Sequence, residues 1–176
     1  MTLRSIHTSD PAFSFVEQLW LDAFPHCERR PLLDQRHNTD HNPAFHCLLA
    51  ENDGQPVGFF TCWQFEGFWY GEHFAVSPLY RNNGYGAAIM AAVLDYIDHQ
   101  PLVLEVEMPD NELAQRRIGF YQRQGFQLWD ECPYEQPPYH PEDESLPMYL
   151  MVHGPLTPEA FPAVCTLIHR EVYHFG

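Results

Sequence analysis

Residues 74–90 read F-A-V-S-P-L-Y-R-N-N-G-Y-G-A-A-I-M. Phe74, Ala75 and Val76 end an apolar run of strand character, and Pro78 stops it. After a polar turn, Ile89, Met90, Val93, Leu94 and Ile97 recur at helical spacing. A strand therefore hands over to a helix, and the turn between them holds Arg81, Asn82, Asn83, Gly84, Tyr85 and Gly86 before Ala87. Two glycines let a ligand approach the backbone closely, and the first N–H groups of any helix lack intrahelical partners. Such a turn is built to bind an anion. An ordinary strand-turn-helix can also carry a glycine-rich turn, so rival phosphate motifs are the test. G-x-x-x-x-G-K-[ST] occurs nowhere, and Gly84-Tyr85-Gly86 lacks the third glycine of G-x-G-x-x-G.

The spacing R-x-x-G-x-G, preceded by V-x-P, resembles the pyrophosphate loop of the GNAT superfamily of N-acyltransferases. A second segment, Arg117-Ile118-Gly119-Phe120-Tyr121-Gln122-Arg123-Gln124-Gly125-Phe126, is similar to that family's signature F-Y-x-x-x-G-F. Two signatures in the right order, about 35 residues apart, are much harder to meet by accident than one. The resemblance implies an α/β fold of the α+β type over residues 1–176, a single GNAT domain. Its central sheet would be mixed, mainly antiparallel, with about six or seven strands flanked by helices. It implies acetyl-CoA as cosubstrate, with Phe74, Ala75, Val76 and residues 81–87 against it and Tyr121 at its sulfur. The family's frequent N-x-x-A is replaced here by Ala114-Gln115-Arg116-Arg117.

The surrounding chain reads in the same order. Residues 3–6 suit a short first strand, and Asp10 with Pro11 suits an N-cap and first helical position for a helix to Phe24. Phe13, Val16, Leu19, Trp20 and Ala23 would be its buried face. Residues 25–42, rich in Pro, His, Arg and Asp, read as a surface loop or broken helix, and the resemblance lays this region over the acceptor site. Residues 45–51 and 56–64 are strand-like and joined by Asn52-Asp53-Gly54, a hairpin signal; Glu66-Gly67 then turns into residues 68–76. Residues 102–107 give another strand, residues 111–124 a helix closed by Gly125, and residues 126–129 the start of the next strand. Residues 132–147 carry five prolines, too many breakers for regular structure, and read as a long loop, either a lid or an acidic surface excursion. Residues 146–152 read as the last strand, and a helix from Thr157 or Pro158 to His174 follows, its start delayed by Pro162.

Alternation singles out carboxylates. Along residues 102–107, Leu102, Leu104 and Val106 face one way and Val103, Glu105 and Glu107 the other. The same rule puts Tyr70, Glu72, Phe74 and Val76 together on the preceding strand. Leu104-Glu105-Val106 also resembles the L-E-V of ribosomal-protein N-terminal acetyltransferases, where that glutamate is the proposed base. Candidate bases are therefore Glu105, then Glu72, then Glu107, with solvated strand-end charges or contacts for a cationic acceptor as the alternative. The resemblance makes Tyr121 the general acid for the thiolate and backbone N–H groups near Val76 the oxyanion donors. The aromatic run Trp63, Phe65, Phe68, Trp69 and Tyr70 lines a pocket or fills core, the commoner use.

With 9 Lys+Arg against 24 Asp+Glu, the formal charge of −15 repels nucleic acid and anionic membranes and favours a cationic or small amine acceptor. The acceptor by this reading is a small molecule or a peptide amine. No run approaches the ~18 apolar residues of a membrane span, and an unprocessed cytoplasmic protein is expected. Five cysteines without C-x-x-C read as reduced thiols, and no covalent cysteine chemistry is expected. Among eleven histidines only His37 and His41, with Asp40, sit at a metal-like spacing; nothing completes a shell, and no metal is expected. The family's frequent dimers make a homodimer a further expectation. A different class of function is also compatible with the phosphate loop: a catalytically idle acyl-CoA-binding module.

Overall fold

Asp53 and Gly54 turn the chain with φ of 50° and 75°, the left-handed pair that a two-residue hairpin requires. The computed structural model describes all of residues 1–176. Its elements are β1 (Thr2–Ser5), α1 (Phe13–Ala23), α2 (Leu32–His41), β2 (Phe45–Asn52), β3 (Gln55–Phe65), β4 (Phe68–Val76), α3 (Tyr85–Tyr96), β5 (Leu102–Glu107), α4 (Glu112–Arg123), β6 (Gln127–Gln136), β7 (Leu146–His153) and α5 (Phe161–Glu171). The seven strands form one sheet in the order β1-β2-β3-β4-β5-β7-β6, and every neighbouring pair is antiparallel except β4 and β5. That one parallel pair needs a crossover, which α3 supplies.

The sheet separates two cores. On one face α1 and α5 bury Phe13, Val16, Leu19, Trp20, Val164 and Ile168 against Leu49, Phe59, Trp63, Tyr70 and Val103. On the other, α3 and α4 bury Ile89, Met90, Val93 and Ile118 against Leu48, Phe60, Leu102, Leu104 and Val106. The alternation read along residues 102–107 is thus the division between the two faces. Trp63, Phe68, Trp69 and Tyr70 are core, with Phe65 partly buried against it. No helix is long and apolar enough to cross a membrane.

Several expectations need correction. Helix α1 begins at Phe13, not Pro11, because the Asp10 carboxylate closes a turn by accepting from the Ala12 N–H at 2.9 Å. Of the two readings of residues 25–42 the broken helix holds: a 3₁₀ turn at His26–Glu28, then α2. Helix α2 has no apolar stripe to read, since the side chains it buries are the polar Gln35 and Thr39. Residues 132–147 are not one long loop. Strand β6 continues to Gln136 and β7 starts at Leu146, leaving residues 137–145 as the connection. Strand β6 lies at the sheet edge and bulges between Trp129 and Tyr134, which is where a strand tolerates Pro133. The last helix starts at Phe161 after a 3₁₀ turn and ends at Glu171, short of His174.

Strand β4 breaks strict alternation. Its register with β3 runs Thr61 to His73 and then Cys62 to Gly71, so Glu72 is an extra residue. Tyr70 and Glu72 face the α1 side as expected, whereas Phe74 and Val76, beyond the bulge, pack toward the α3 side. The bulge coincides with the point at which β4 and β5 stop pairing, after Gly71 and Leu104.

Candidate active site

The turn before α3 is open to an anion. Asn82 and Gly84 have φ of 63° and 78°, and Arg81 and Asn83 fold onto it: Arg81 Nε donates to Val76 O at 3.0 Å and Asn83 Nδ2 to Arg81 O at 2.8 Å. None of the N–H groups of residues 82–87 donates to a backbone carbonyl; the first to do so is that of Ala88, to Gly84 O at 3.1 Å. Six consecutive free donors at the positive end of a twelve-residue helix fit a pyrophosphate.

Beyond this turn lies a gap in the sheet. Strands β4 and β5 pair only through Trp69–Leu102, Tyr70–Val103 and Gly71–Leu104. His73 N donates to Thr61 Oγ1 and Ser77 N to Val57 O, both across to β3. By alternation the N–H groups of Phe74 and Val76 point the other way, into the gap where β5 has turned aside. Gly71 holds the last paired position because a Cβ there would lie 2.4 Å from Phe60 Cζ and 2.6 Å from a Leu104 methyl.

Helix α4 brings Tyr121 to the same space. Asn111 caps it by accepting from Ala114 N at 2.9 Å, and Gly125, at φ 93°, ends it with Phe126 N donating back to Tyr121 O at 3.0 Å. The Tyr121 ring packs edge-on between Phe120 and Phe126. Burial pushes its phenol up to about 12, so at neutral pH it carries its proton and is a donor.

The three carboxylates have different surroundings. Glu105 is partly buried: its Oε1 accepts from the Tyr134 hydroxyl, and its Oε2 from Gln136 Nε2 at 2.5 Å and the Tyr173 hydroxyl at 2.7 Å. Burial lifts its carboxyl above the usual glutamate range, against the pull of those donors toward the charged form. The Glu72 side chain is wholly inaccessible, 0% exposed. Arg30 pairs with it, Tyr139 donates to it at 2.7 Å and Trp63 Nε1 at 2.8 Å. Burial alone would raise Glu72, yet Arg30 beside it holds the carboxyl below the ordinary range. The Arg30 guanidinium itself lies over the rings of Phe45, Trp63 and Tyr139. Glu107 sits at the rim, 3.7 Å from Arg117 and 43% exposed.

These parts line one cleft of about 1290 Å³. Phe74, Ala75, Val76, Arg81, Asn82, Gly84, Gly86, Ala87 and Tyr121 wall one end, and Glu72, Glu105 and Glu107 the other. Asn83 and Tyr85 do not line it, since Asn83 folds back on Arg81 and the Tyr85 ring packs on Tyr80. The same cleft is lined by Asp22, Glu28, Asp110 and His73. No cysteine lines the cleft, and no group of three His, Cys, Asp or Glu side chains is placed to hold a metal. Asp40, expected beside His37 and His41, is engaged instead by Thr8.

Residues 13–126 match the model of the acetyltransferase (GNAT) family. The chain belongs to the GNAT family. A GNAT-family protein of Bacteroides thetaiotaomicron is 43% identical to this GNAT domain over the full length of both chains, with a TM-score of 0.96. The fold is shared more distantly with Arabidopsis thaliana Naa50 in complex with the bisubstrate analogue CoA-Ac-MVNAL (20% identity, 88% of this chain and 99% of that one, TM-score 0.61). It is shared likewise with a GNAT acetyltransferase of Elizabethkingia anophelis bound to acetyl-CoA (16% identity, 88% and 97%, TM-score 0.58). A search of curated proteins returned no match.

The family match ends before the GNAT domain has finished building its site. Tyr134, Gln136, Tyr139 and Tyr173 lie beyond it, and sequence reading missed all four, along with Arg30 and His73. Each sits in a segment whose partner is fixed only by tertiary packing. One local signal was available: Gly71 inside a strand pattern marks a bulge or close approach, and the bulge is what places Glu72 and His73.

Proposed function

We propose that this GNAT domain transfers an acetyl group from acetyl-CoA to a primary amine by direct attack. The observation that carries the reading is that one cleft is lined by Asn82, Gly84, Gly86 and Ala87 of the turn whose N–H groups are free, by Tyr121 and by Glu105. The free donors of the turn fit the pyrophosphate, and the unpaired N–H groups of Phe74 and Val76 flank where a thioester would follow. Bound there, acetyl-CoA supplies the carbonyl carbon that the amine nitrogen attacks.

Glu105 accepts the proton that an alkylammonium must lose before its lone pair can react. Tyr134, Gln136 and Tyr173 hold the Glu105 carboxylate in a fixed orientation within the cleft. Glu72 is closed to substrate and already paired, which makes it a support rather than a base. Glu107 stands at the rim, where it meets the acceptor on arrival. The Phe74 and Val76 N–H groups donate to the negative charge developing on the carbonyl oxygen. As the C–S bond breaks, Tyr121 donates its proton to the departing sulfur, and the second proton that the attacking nitrogen must lose passes through solvent to restore the phenol. The excess of carboxylates at this end, with Arg117 the nearest cation to Glu107, favours an acceptor that arrives positively charged.

Calorimetry with acetyl-CoA, followed by thiol release across a panel of amines, tests the reading. Binding with amine-dependent release is expected. Absence of binding would remove the phosphate loop from the account, and binding without release on any amine would remove the transfer.

A further inference from the structure

We infer that the acceptor is a small free amine, and that the bridge between residues 26–30 and Tyr139–His140 is what excludes extended polypeptide, a substrate class that presupposes the acyl transfer proposed above. Two segments contribute to the wall of the cleft, through Glu28 and through Tyr139. One is the 3₁₀ turn with Arg29 and Arg30 between α1 and α2; the other is the connection from β6 to β7. They are joined directly. His140 Nε2 is 3.0 Å from the carbonyl oxygens of both His26 and Arg29, a single N–H shared between two acceptors. The His140 and His26 rings stack with centroids 4.0 Å apart and planes 9° from parallel.

They are also tied to the same point of the sheet. Glu72 accepts from Arg30 on the first segment and from Tyr139 on the second. Its neighbour His73 donates through Nε2 to Glu28 O at 2.9 Å. Arg30 and His140 are buried, so the bridge has depth and is not a surface brush between two loops. Glu28, His73, Tyr139 and Gln136 show to the cleft, while His26, Arg30 and His140 stand behind them.

A polypeptide acceptor needs room on both sides of its first residue, since an extended chain advances about 3.3 Å per residue and its backbone groups need partners as they enter. At this wall the chain's second residue would meet side chains already hydrogen-bonded to one another. Entering would take from Glu72, a buried charge, its Arg30 and Tyr139 donors, or from the carbonyls of His26 and Arg29 their shared His140 donor. A small amine at Glu105 carries no second residue to place against the bridge.

The test uses the full chain saturated with CoA or acetyl-CoA. Butylamine, putrescine and alaninamide are compared with hexapeptide amides led by alanine and by lysine, by calorimetry and by thiol release. At least one small amine is expected to bind and react with kcat/KM about 10²-fold or more above either peptide. The His140→Ala variant is expected to raise the peptide-to-amine ratio about tenfold, and His140→Gln, which keeps an N–H donor, to restore it. Peptides that bind and react as well as the amines overturn the inference, as does a folded His140→Ala protein with an unchanged ratio. Should His140→Ala fail to fold, Tyr139→Phe removes the hydroxyl bond to Glu72 while keeping the ring, and the same ratio is read. Amine binding to the CoA-loaded protein without thiol release overturns the transfer mechanism instead, and leaves the exclusion of peptides standing on the binding data.

Discussion

Glu72 and His73 are neighbours in sequence and project from the same side of β4, both reaching Tyr139, because the bulge opposite Thr61 and Cys62 gives that strand one residue too many. A regular strand would send one of them into the other core. The doubled projection gives the sheet two adjacent anchors for the segments above it, and it releases the N–H groups of Phe74 and Val76 into the gap beside β5.

If Glu105 takes the proton from the acceptor, Glu105→Gln should lower turnover by about 10²- to 10⁴-fold while acetyl-CoA still binds, because the amide keeps the shape and loses the base. Steady-state thiol release beside calorimetry separates the two effects. Turnover that survives the change would pass the role to another group.

The pH dependence follows from the direction of the Glu105 shift. Its raised proton affinity places the acid limb of kcat/KM above the ordinary carboxylate range. Tyr173 donates to the charged form, so Tyr173→Phe should move that limb to still higher pH. A carboxyl raised on folding adds stability below its unfolded pKa and loses it as pH rises through the folded one. Glu105→Gln should therefore be more stable than the parent at neutral pH, with the gap closing in acid, as urea unfolding at two pH values would record.

The Arg30–Glu72 pair is nearly free of solvent on both sides, with side chains 6% and 0% exposed. Removing one partner strands a charge, so Arg30→Met should cost about 3–5 kcal/mol in urea unfolding. Adding Glu72→Gln should recover much of that loss. Equal midpoints for the single and double variants would show that the pair contributes through shape alone.

Tyr121→Phe should slow turnover by about 10²-fold with little change in acetyl-CoA affinity, since only the transferable proton is lost. Rapid-quench measurement of the chemical step is the check. An unaltered step would make the ring a packing element of α4.

Gly71→Ala should destabilise by about 1–3 kcal/mol, because the added methyl meets Phe60 and Leu104 well inside van der Waals distance. Thermal unfolding reads the loss. A neutral result would mean that β4 and β5 can separate earlier than they do here.

The succession of strands and helices along the chain, both tight turns and the helix carrying Tyr121 were legible because their signals are local: Asp53-Gly54 for a hairpin, Asn111 and Gly125 for the ends of α4, period two for residues 102–107. Glu105 was legible for the same reason, as a carboxylate on a strand whose other residues want burial. Its donors were not. Gln136 and Tyr134 lie among prolines that an edge strand tolerates and a central one does not, and edge position is a tertiary fact. Arg30 looked like surface charge because its partners, Glu72 and the rings of Trp63 and Tyr139, are distant in sequence. The register shift in β4 left Gly71 as its only trace, too little to show that Phe74 and Val76 would change sides.

Tyr173 donates to Glu105 across 68 residues of chain. A ribosome makes the carboxylate well before it makes the hydroxyl that will hold it. Tyr173 follows α5, so a donor that draws Glu105 toward its charged form is among the last groups to be made. The hydrogen bonding around Glu105 is therefore completed by chain from beyond the last strand.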